Sequence, residues 1–187
     1  FIGAHADLAR KLVDAGYGVL LASYRGYSGN PGSPSEAGLY EDARAAMDFL
    51  AARDAQVVLH GVSLGAAVAV QLAMERSVRG LIVETPFTAA ADVAASVYFW
   101  VPVRLLMRDP FETLAKYAAL RIPVLVLHGT RDEVVPSAQF DRVYAAITAP
   151  KRRVVIDGAD HNDIWHHDGG RAALAFLDKL TRGEAIR

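Results

Sequence analysis

Cysteine is absent from the 187-residue chain. That removes disulfides, thiolate nucleophiles and cysteine-ligated zinc together, and leaves the compartment open. Charge of one sign is missing too: 20 Lys and Arg stand against 21 Asp and Glu, a formal net charge of −1. No basic excess is available to neutralise phosphates, so nucleic acid is not an expected partner. No apolar run reaches the ~18 residues of a membrane span. No signal peptide opens the chain, which starts at Phe1 rather than Met. Internal repeats and low-complexity tracts are lacking as well. What is present is the balance of a globular domain, with 52% hydrophobic and 22% charged residues. Residues 1–187 are read as a single domain with a sizeable apolar core.

Helix and strand signals alternate, which predicts an α/β fold with a mostly parallel sheet and helices on both faces. Leu8, Leu12 and Val13 recur at helical spacing from Ala4 to Ala15, and Gly16 is the expected stop. Gly18–Ser23 (GVLLAS) reads as a buried strand. Arg25–Glu36, rich in Gly, Pro and Ser, reads as a loop, followed by an amphipathic helix over Leu39–Ala52. Strands are expected at Gln56–His60, Gly80–Glu84, Ile122–His128 and Arg153–Ile156. Helices are expected at Ser63–Arg76, Ser137–Ile147 and Gly170–Leu180. The strands are apolar on both faces, as burial between two helix layers requires. An excursion around residues 88–120 carries Tyr98 to Val103 and then Leu105-Leu106-Met107. Short helices packed on the body, or a small cap shaping an apolar substrate pocket, both fit it.

Gly61-Val62-Ser63-Leu64-Gly65 matches G-x-S-x-G between a strand signal and an Ala-rich helix. That is the setting of a nucleophile elbow, in which glycines allow the sharp turn and the serine is held strained and exposed. A serine hydroxyl needs a base, and the base an orienting acid. His161, in Gly158-Ala159-Asp160-His161-Asn162-Asp163 after the last strand, is the candidate base. Asp132, in the loop His128-Gly129-Thr130-Arg131-Asp132-Glu133, is the candidate acid, with Glu133, Asp157 and Asp160 as competitors. His60 and His128 close strands and read as packed residues, and His166 and His167 as a solvated helix entrance. His5 has no evident role, and no metal site is expected.

At these motifs the sequence resembles α/β-hydrolases, nearest to the small abhydrolase-domain and serine-aminopeptidase-like branch. The resemblance covers nearly the whole chain. It includes Ala15-Gly16-Tyr17-Gly18, Tyr24-Arg25-Gly26-Tyr27-Ser28-Gly29, Pro34-Ser35-Glu36, the elbow, Glu84-Thr85-Pro86-Phe87, the HGTRDEVVP loop and GADHND. It implies an acyl-enzyme hydrolase of esters, thioesters or amides that needs no cofactor. Ser63 would be its nucleophile, Asp132 its acid and His161 its base, and Leu64 would give an oxyanion-hole N–H. A small-molecule or lipid acyl group is the implied partner. A serine peptidase, or a non-catalytic binding protein on the same fold, is the alternative. For a peptidase, Glu84 and Asp109 are the weak candidates for holding a substrate amine.

The sequence departs from the family at Ser23, where relatives often carry Asp, and at Asp160, which replaces a common Gly. A larger departure is the start, because such relatives have three strands before the first helix seen here. The third lies between the strands that GVLLAS and QVVLH resemble, and its loop supplies the second oxyanion donor. Each buried unpaired backbone group costs about 1–3 kcal/mol, so an empty slot there is unfavourable. The expectation is therefore a natural protein longer at its N-terminus, with this segment alone poorly active. The protein would be cytoplasmic, or membrane-associated through an anchor in the preceding segment.

Overall fold

The computed structural model describes residues 6–53, 55–98 and 100–186. Ala4 and His5 of the expected first helix, and Phe99 of the aromatic run, lie outside them. The chain forms two compact units, residues 1–56 and 57–187.

In the first unit, α1 spans Ala6–Asp14 and buries Leu8 and Leu12. Gly16, at φ +90°, ends it in a Schellman turn: its N–H donates to Val13, and that of Tyr17 to Leu12. The helix α2, Glu36–Ala51, starts at Ser35, whose hydroxyl accepts the Gly38 N–H at 3.1 Å. The intervening loop is clamped to α2 by Arg25. Its guanidinium reaches Asp42 at 2.7 and 3.0 Å, and its backbone N–H donates to the same carboxylate at 2.8 Å.

Gly18–Ser23 is not a strand, contrary to the sequence reading, and its side chains are half-buried or exposed. The reason is physical. An apolar run becomes a strand only when a neighbour pairs its N–H and C=O groups. Among the described residues no ladder includes this segment.

The second unit is built on a four-stranded parallel sheet in the order β1-β2-β3-β4. The strands are Val58–Val62, Gly80–Glu84, Val124–Gly129 and Lys151–Ile156. Between them run α3 (Leu64–Glu75), α4 (Ala90–Val97), α5 (Val103–Leu106), α6 (Leu114–Ala119) and α7 (Ser137–Ala146), and α8 (Gly169–Arg182) follows β4. Every residue of β2 and β3 is buried, as expected for strands between two helix layers. Leu81, Val83, Val124 and Val126 form one core with Ala66 and Val70 of α3, Tyr117 of α6, and Phe140 and Val143 of α7. On the opposite face, Leu180 and Phe176 of α8 approach Gly80 so closely that a β-carbon there would meet them at 2.7 and 3.4 Å. The exception is β4, which carries Lys151, Arg152 and Arg153 and is only partly buried. It pairs with β3 alone, so its apolar requirement is weaker.

The excursion around 88–120 divides its roles. Its last helix, α6, packs Tyr117 into the core, as does Leu120 directly after it. Leu105 and Leu106 of α5 stay exposed. The first helix, α4, faces the cavity described next.

Candidate active site

Parallel strands with right-handed helical crossovers gather their carboxyl-end loops on one rim, where ligands bind in open α/β sheets. Ser63 follows β1 and precedes α3, with φ +52° and ψ −115°. This is a conformation that costs a non-glycine residue on the order of 1–3 kcal/mol. It is held by backbone bonds on both sides. Its N–H donates to the Glu84 carbonyl at 2.9 Å, and its own carbonyl accepts the Ala66 N–H at 2.9 Å.

The two glycines of the motif differ. A β-carbon on Gly61 would lie 2.3 Å from the Gly65 carbonyl oxygen and 2.7 Å from Ala66 Cα, so only glycine fits. At Gly65 an added β-carbon meets nothing within 4 Å. The expectation that both glycines avoid a clash holds for Gly61 only.

Asp132 and His161 come together from separate loops. Both Asp132 carboxylate oxygens lie at 3.0–3.1 Å from His161 Nδ1. One of them, Oδ1, also accepts the N–H groups of Val134 and Val135, each at 2.9 Å. The Asp132 side chain is fully buried. Burial alone would push its carboxyl up. The bond from His161, the Val135 N–H, the His161 charge and the Val134 N–H outweigh that and hold it below the ordinary carboxylate value. The competitors have other places: Glu133 is exposed, and Asp157 accepts a bond from Thr130 at 3.2 Å.

The two loops are stitched to each other. Thr130 N–H donates to Ile156 and Arg131 N–H to Ala159, at 3.0 and 2.9 Å. The Thr130 hydroxyl accepts the Gly158 N–H at 2.8 Å. Gly129 is required here, because a β-carbon would lie 2.3 Å from the Ala159 carbonyl oxygen.

Asp160, read from the sequence as a competing acid and as a departure from the family, frames the histidine. Its Oδ1 accepts the N–H groups of Asn162 and Asp163 at 2.7 and 3.1 Å. Asp163 returns the bond by accepting the Asp160 N–H at 2.7 Å. Sequence reasoning missed this brace, although two Asx residues flanking a histidine are its signature.

Beside Ser63 lies a cavity of about 260 Å³. Ala90, Val93, Ala94 and Val97 of α4 line it with Leu64, Phe87, Val134 and Val135. The four α4 residues follow the i, i+3, i+4, i+7 stripe of one helix face. Among the described residues, Ser63 is the one lining residue with a polar side chain. A buried polar network anchors the wall. The Thr88 hydroxyl bonds Gln139 at 3.1 Å and also Asp92, and Thr113 Oγ1 donates to the Phe87 and Thr88 carbonyls at 2.5 and 3.0 Å.

The remaining histidines sort themselves. His128 is buried, stacks on Phe140 at 4.8 Å, and its Nδ1 lies 3.7 Å from Asp132. Burial lowers its pKa below the ordinary imidazole value, partly opposed by the Asp132 charge. His60 pairs with Glu84 at 2.6 Å. Glu84 is thus buried and spoken for, which removes it as a seat for a substrate amine. Exposed His167 pairs with half-buried Asp163 near the start of α8. Among the described residues no group of three or more His, Asp or Glu side chains is placed to hold a metal ion. No helix among them is long and apolar enough to cross a membrane.

An uncharacterized protein of Mycobacterium tuberculosis is 46% identical over 181 residues, covering 95% of this chain and 63% of its own length. The alpha/beta hydrolase domain-containing protein WAV2 of Arabidopsis thaliana is 31% identical, covering 87% of the chain and 61% of its own length. This chain therefore spans somewhat under two thirds of the length of these relatives. Among solved structures, the monoacylglycerol lipase of Paleococcus ferrophilus superposes with a TM-score of 0.73 at 20% identity, covering 95% of this chain and 90% of the lipase. The esterase domain of a Rhodothermus marinus protein gives 0.71 at 24% identity, covering 97% and 80%. These likenesses show a common fold. The family model described as alpha/beta hydrolase matches residues 3–106, more than half of the sequence, and the chain belongs to the alpha/beta hydrolase family.

Proposed function

We propose that the protein is a serine hydrolase that cleaves an ester, thioester or related acyl bond through an acyl-enzyme on Ser63. The observation that carries this reading is the strained serine beside an apolar cavity, in the same unit as a bonded histidine–carboxylate pair. In the proposed reaction Ser63 Oγ attacks the acyl carbonyl carbon and its proton passes to His161 Nε2. Asp132, on Nδ1, fixes the tautomer and stabilises the imidazolium. The Leu64 N–H, at the start of α3, donates to the developing oxyanion, where the helix dipole also favours negative charge. Collapse of the tetrahedral species expels the alcohol or thiol, which takes the proton from His161. Water, deprotonated by the same imidazole, then releases the acid and restores Ser63. The cavity lining suits a hydrophobic acyl group, since burying a charged one there would leave it unpaired.

A fluorophosphonate probe tests the reading without knowledge of the substrate. It is expected to label Ser63, and the label is expected to vanish in Ser63→Ala and to weaken strongly in His161→Ala. Labelling that persists in Ser63→Ala, or none in the unsubstituted protein, would refute it.

A further inference from the structure

One buried ionisable pair is left unused by that mechanism. His60 lies on β1, three residues before the nucleophile, and Glu84 closes β2. His60 Nε2 and Glu84 Oε1 are 2.6 Å apart, with the Glu84 side chain 5% exposed and that of His60 16% exposed. A buried ion pair is weak evidence for stability, because well-packed apolar residues of similar volume often serve as well. Its position points to something else. The Glu84 backbone carbonyl accepts the N–H of Ser63, just past the end of β1, and its side chain grips His60 within that neighbouring strand. The bonds close a ring through His60, Gly61, Val62, Ser63 and Glu84.

That ring contains one strained residue and is followed directly by another. Ser63 has φ +52°, and Thr85, directly after Glu84, has φ +47°. The second is unusual for a β-branched residue. The Thr85 hydroxyl is buried without a partner among the described residues, so its conformation gains nothing from its side chain there. It is the Thr85 N–H that is held, by Leu127 at 2.9 Å. A strained conformation persists only when its surroundings over-determine it. Here the surroundings are the ladder bond from Ser63 to Glu84, the bond from Thr85 to Leu127, and the cross-strand side-chain bond. Trp165 packs against the ring, 5.8 Å from His60 and four residues beyond His161.

We infer that the His60–Glu84 pair braces the nucleophile elbow, holding Ser63 in its strained conformation, and is a positioning pair for the hydrolysis proposed above, on which the inference rests. Removal of the brace lets the end of β2 drift from the elbow. The serine then leaves its attack geometry, while the α4 wall of the cavity proposed for the acyl group stays in place.

The test is the double variant His60→Phe/Glu84→Leu, which replaces both partners by apolar groups and leaves no unpaired charge. Its unfolding midpoint is expected to stay level or rise. For p-nitrophenyl butyrate, kcat is expected to fall about 10- to 100-fold with KM within about twofold, the signature of lost alignment rather than lost binding. The Ser63 amide, followed by hydrogen exchange, is expected to exchange at least about tenfold faster. Glu84→Gln, which keeps an acceptor for the histidine N–H, should retain slow exchange and most of kcat. If the double variant fails to fold, Glu84→Gln against Glu84→Ala makes the same comparison. Unchanged kcat together with slow Ser63 exchange in the unbraced protein would overturn the brace while leaving the nucleophile intact. If the unsubstituted protein is neither labelled nor active, the reading of Ser63 fails, and the exchange rate alone decides on the brace.

Discussion

Gly61→Ala and Gly65→Ala alter two glycines of one motif by the same single methyl group, and the structure assigns them opposite outcomes. At Gly61 the new carbon would sit 2.3 Å from the Gly65 oxygen, 2.6 Å from its carbonyl carbon and 2.7 Å from Ala66 Cα. Favourable carbon–carbon contact begins at about 3.5 Å, so the overlap is on the order of 1 Å. All three atoms are backbone in the first turn of α3, so no rotamer change relieves it. Either the end of β1 or the start of α3 must move. Overpacking of this kind costs about 1–3 kcal/mol, and a backbone obstacle belongs at the upper end. For a chain of this size a loss of about 3 kcal/mol lowers the melting temperature by roughly 6–12 °C. A displacement of about 1 Å at the serine would also lower kcat by about 10². At Gly65 the methyl group enters open space within the helix. Ala gains up to about 1 kcal/mol over Gly in a helix interior, and less in the first turn. Thermal and urea unfolding of the two variants, side by side, checks the argument. A Gly61→Ala protein that melts with the parent, or a Gly65→Ala protein that falls as far as Gly61→Ala, would refute the steric account of the elbow.

Asp132→Asn keeps the shape of the acid but presents an amide to His161 Nδ1, and by analogy with serine proteases kcat is expected to fall by about 10³–10⁴ in ester hydrolysis. Asp132 also contributes to acid stability: its folded pKa lies below its unfolded value, so its contribution is full above about pH 4 and is lost as pH falls through the folded pKa. The Asn variant should therefore show a flatter acid limb in urea unfolding below about pH 4, and an unchanged limb would count against the bond to His161. Buried His128 acts earlier: its folded pKa is lowered, so stability declines as pH drops below about 6.5 toward that value, and His128→Phe should reduce the decline. Thr113→Val removes the hydroxyl that holds the Phe87 and Thr88 carbonyls under the cavity wall. A cost of about 1–2 kcal/mol is expected in the unfolding midpoint, and no cost would mean that another donor takes its place.

How much of this was legible in the sequence follows from how local each cause is. The helix that ends at Gly16, the strands Gly80–Glu84 and Val124–Gly129, and the helix after Ser63 are set by periodicity and turn chemistry, which short windows contain. Ser63, Asp132 and His161 were picked out by motif context, and the structure brings the last two into contact. Gly18–Ser23 misled because its apolar pattern describes a strand only when a partner is supplied, and pairing is not a local property. The Asp160–Asp163 brace was local and readable, but Asp160 was weighed only as a competing acid and a departure from the family. The bond from His60 to Glu84 spans 24 positions and depends on sheet register, so nothing near either residue announces it.

The same division explains why the candidate site lies at the rim of the sheet. Strand interiors here are saturated: β2 and β3 are buried at every position, and their backbone groups are spent on the ladder. Residues just past the strand ends still have free valences for unusual backbone angles, such as Ser63 and Thr85, and for loops stitched by side chains, such as Thr130 and Asp160. Strain can be stored there because the ladder immediately below resists its release. A sheet with one rung fewer at β1–β2 would lose the bond between Ser63 and Glu84 and with it the means of holding the serine. The rigidity of the strands and the strain at their tips are therefore one design, and a variant that loosens the Ser63–Glu84 rung should lower turnover before it lowers stability.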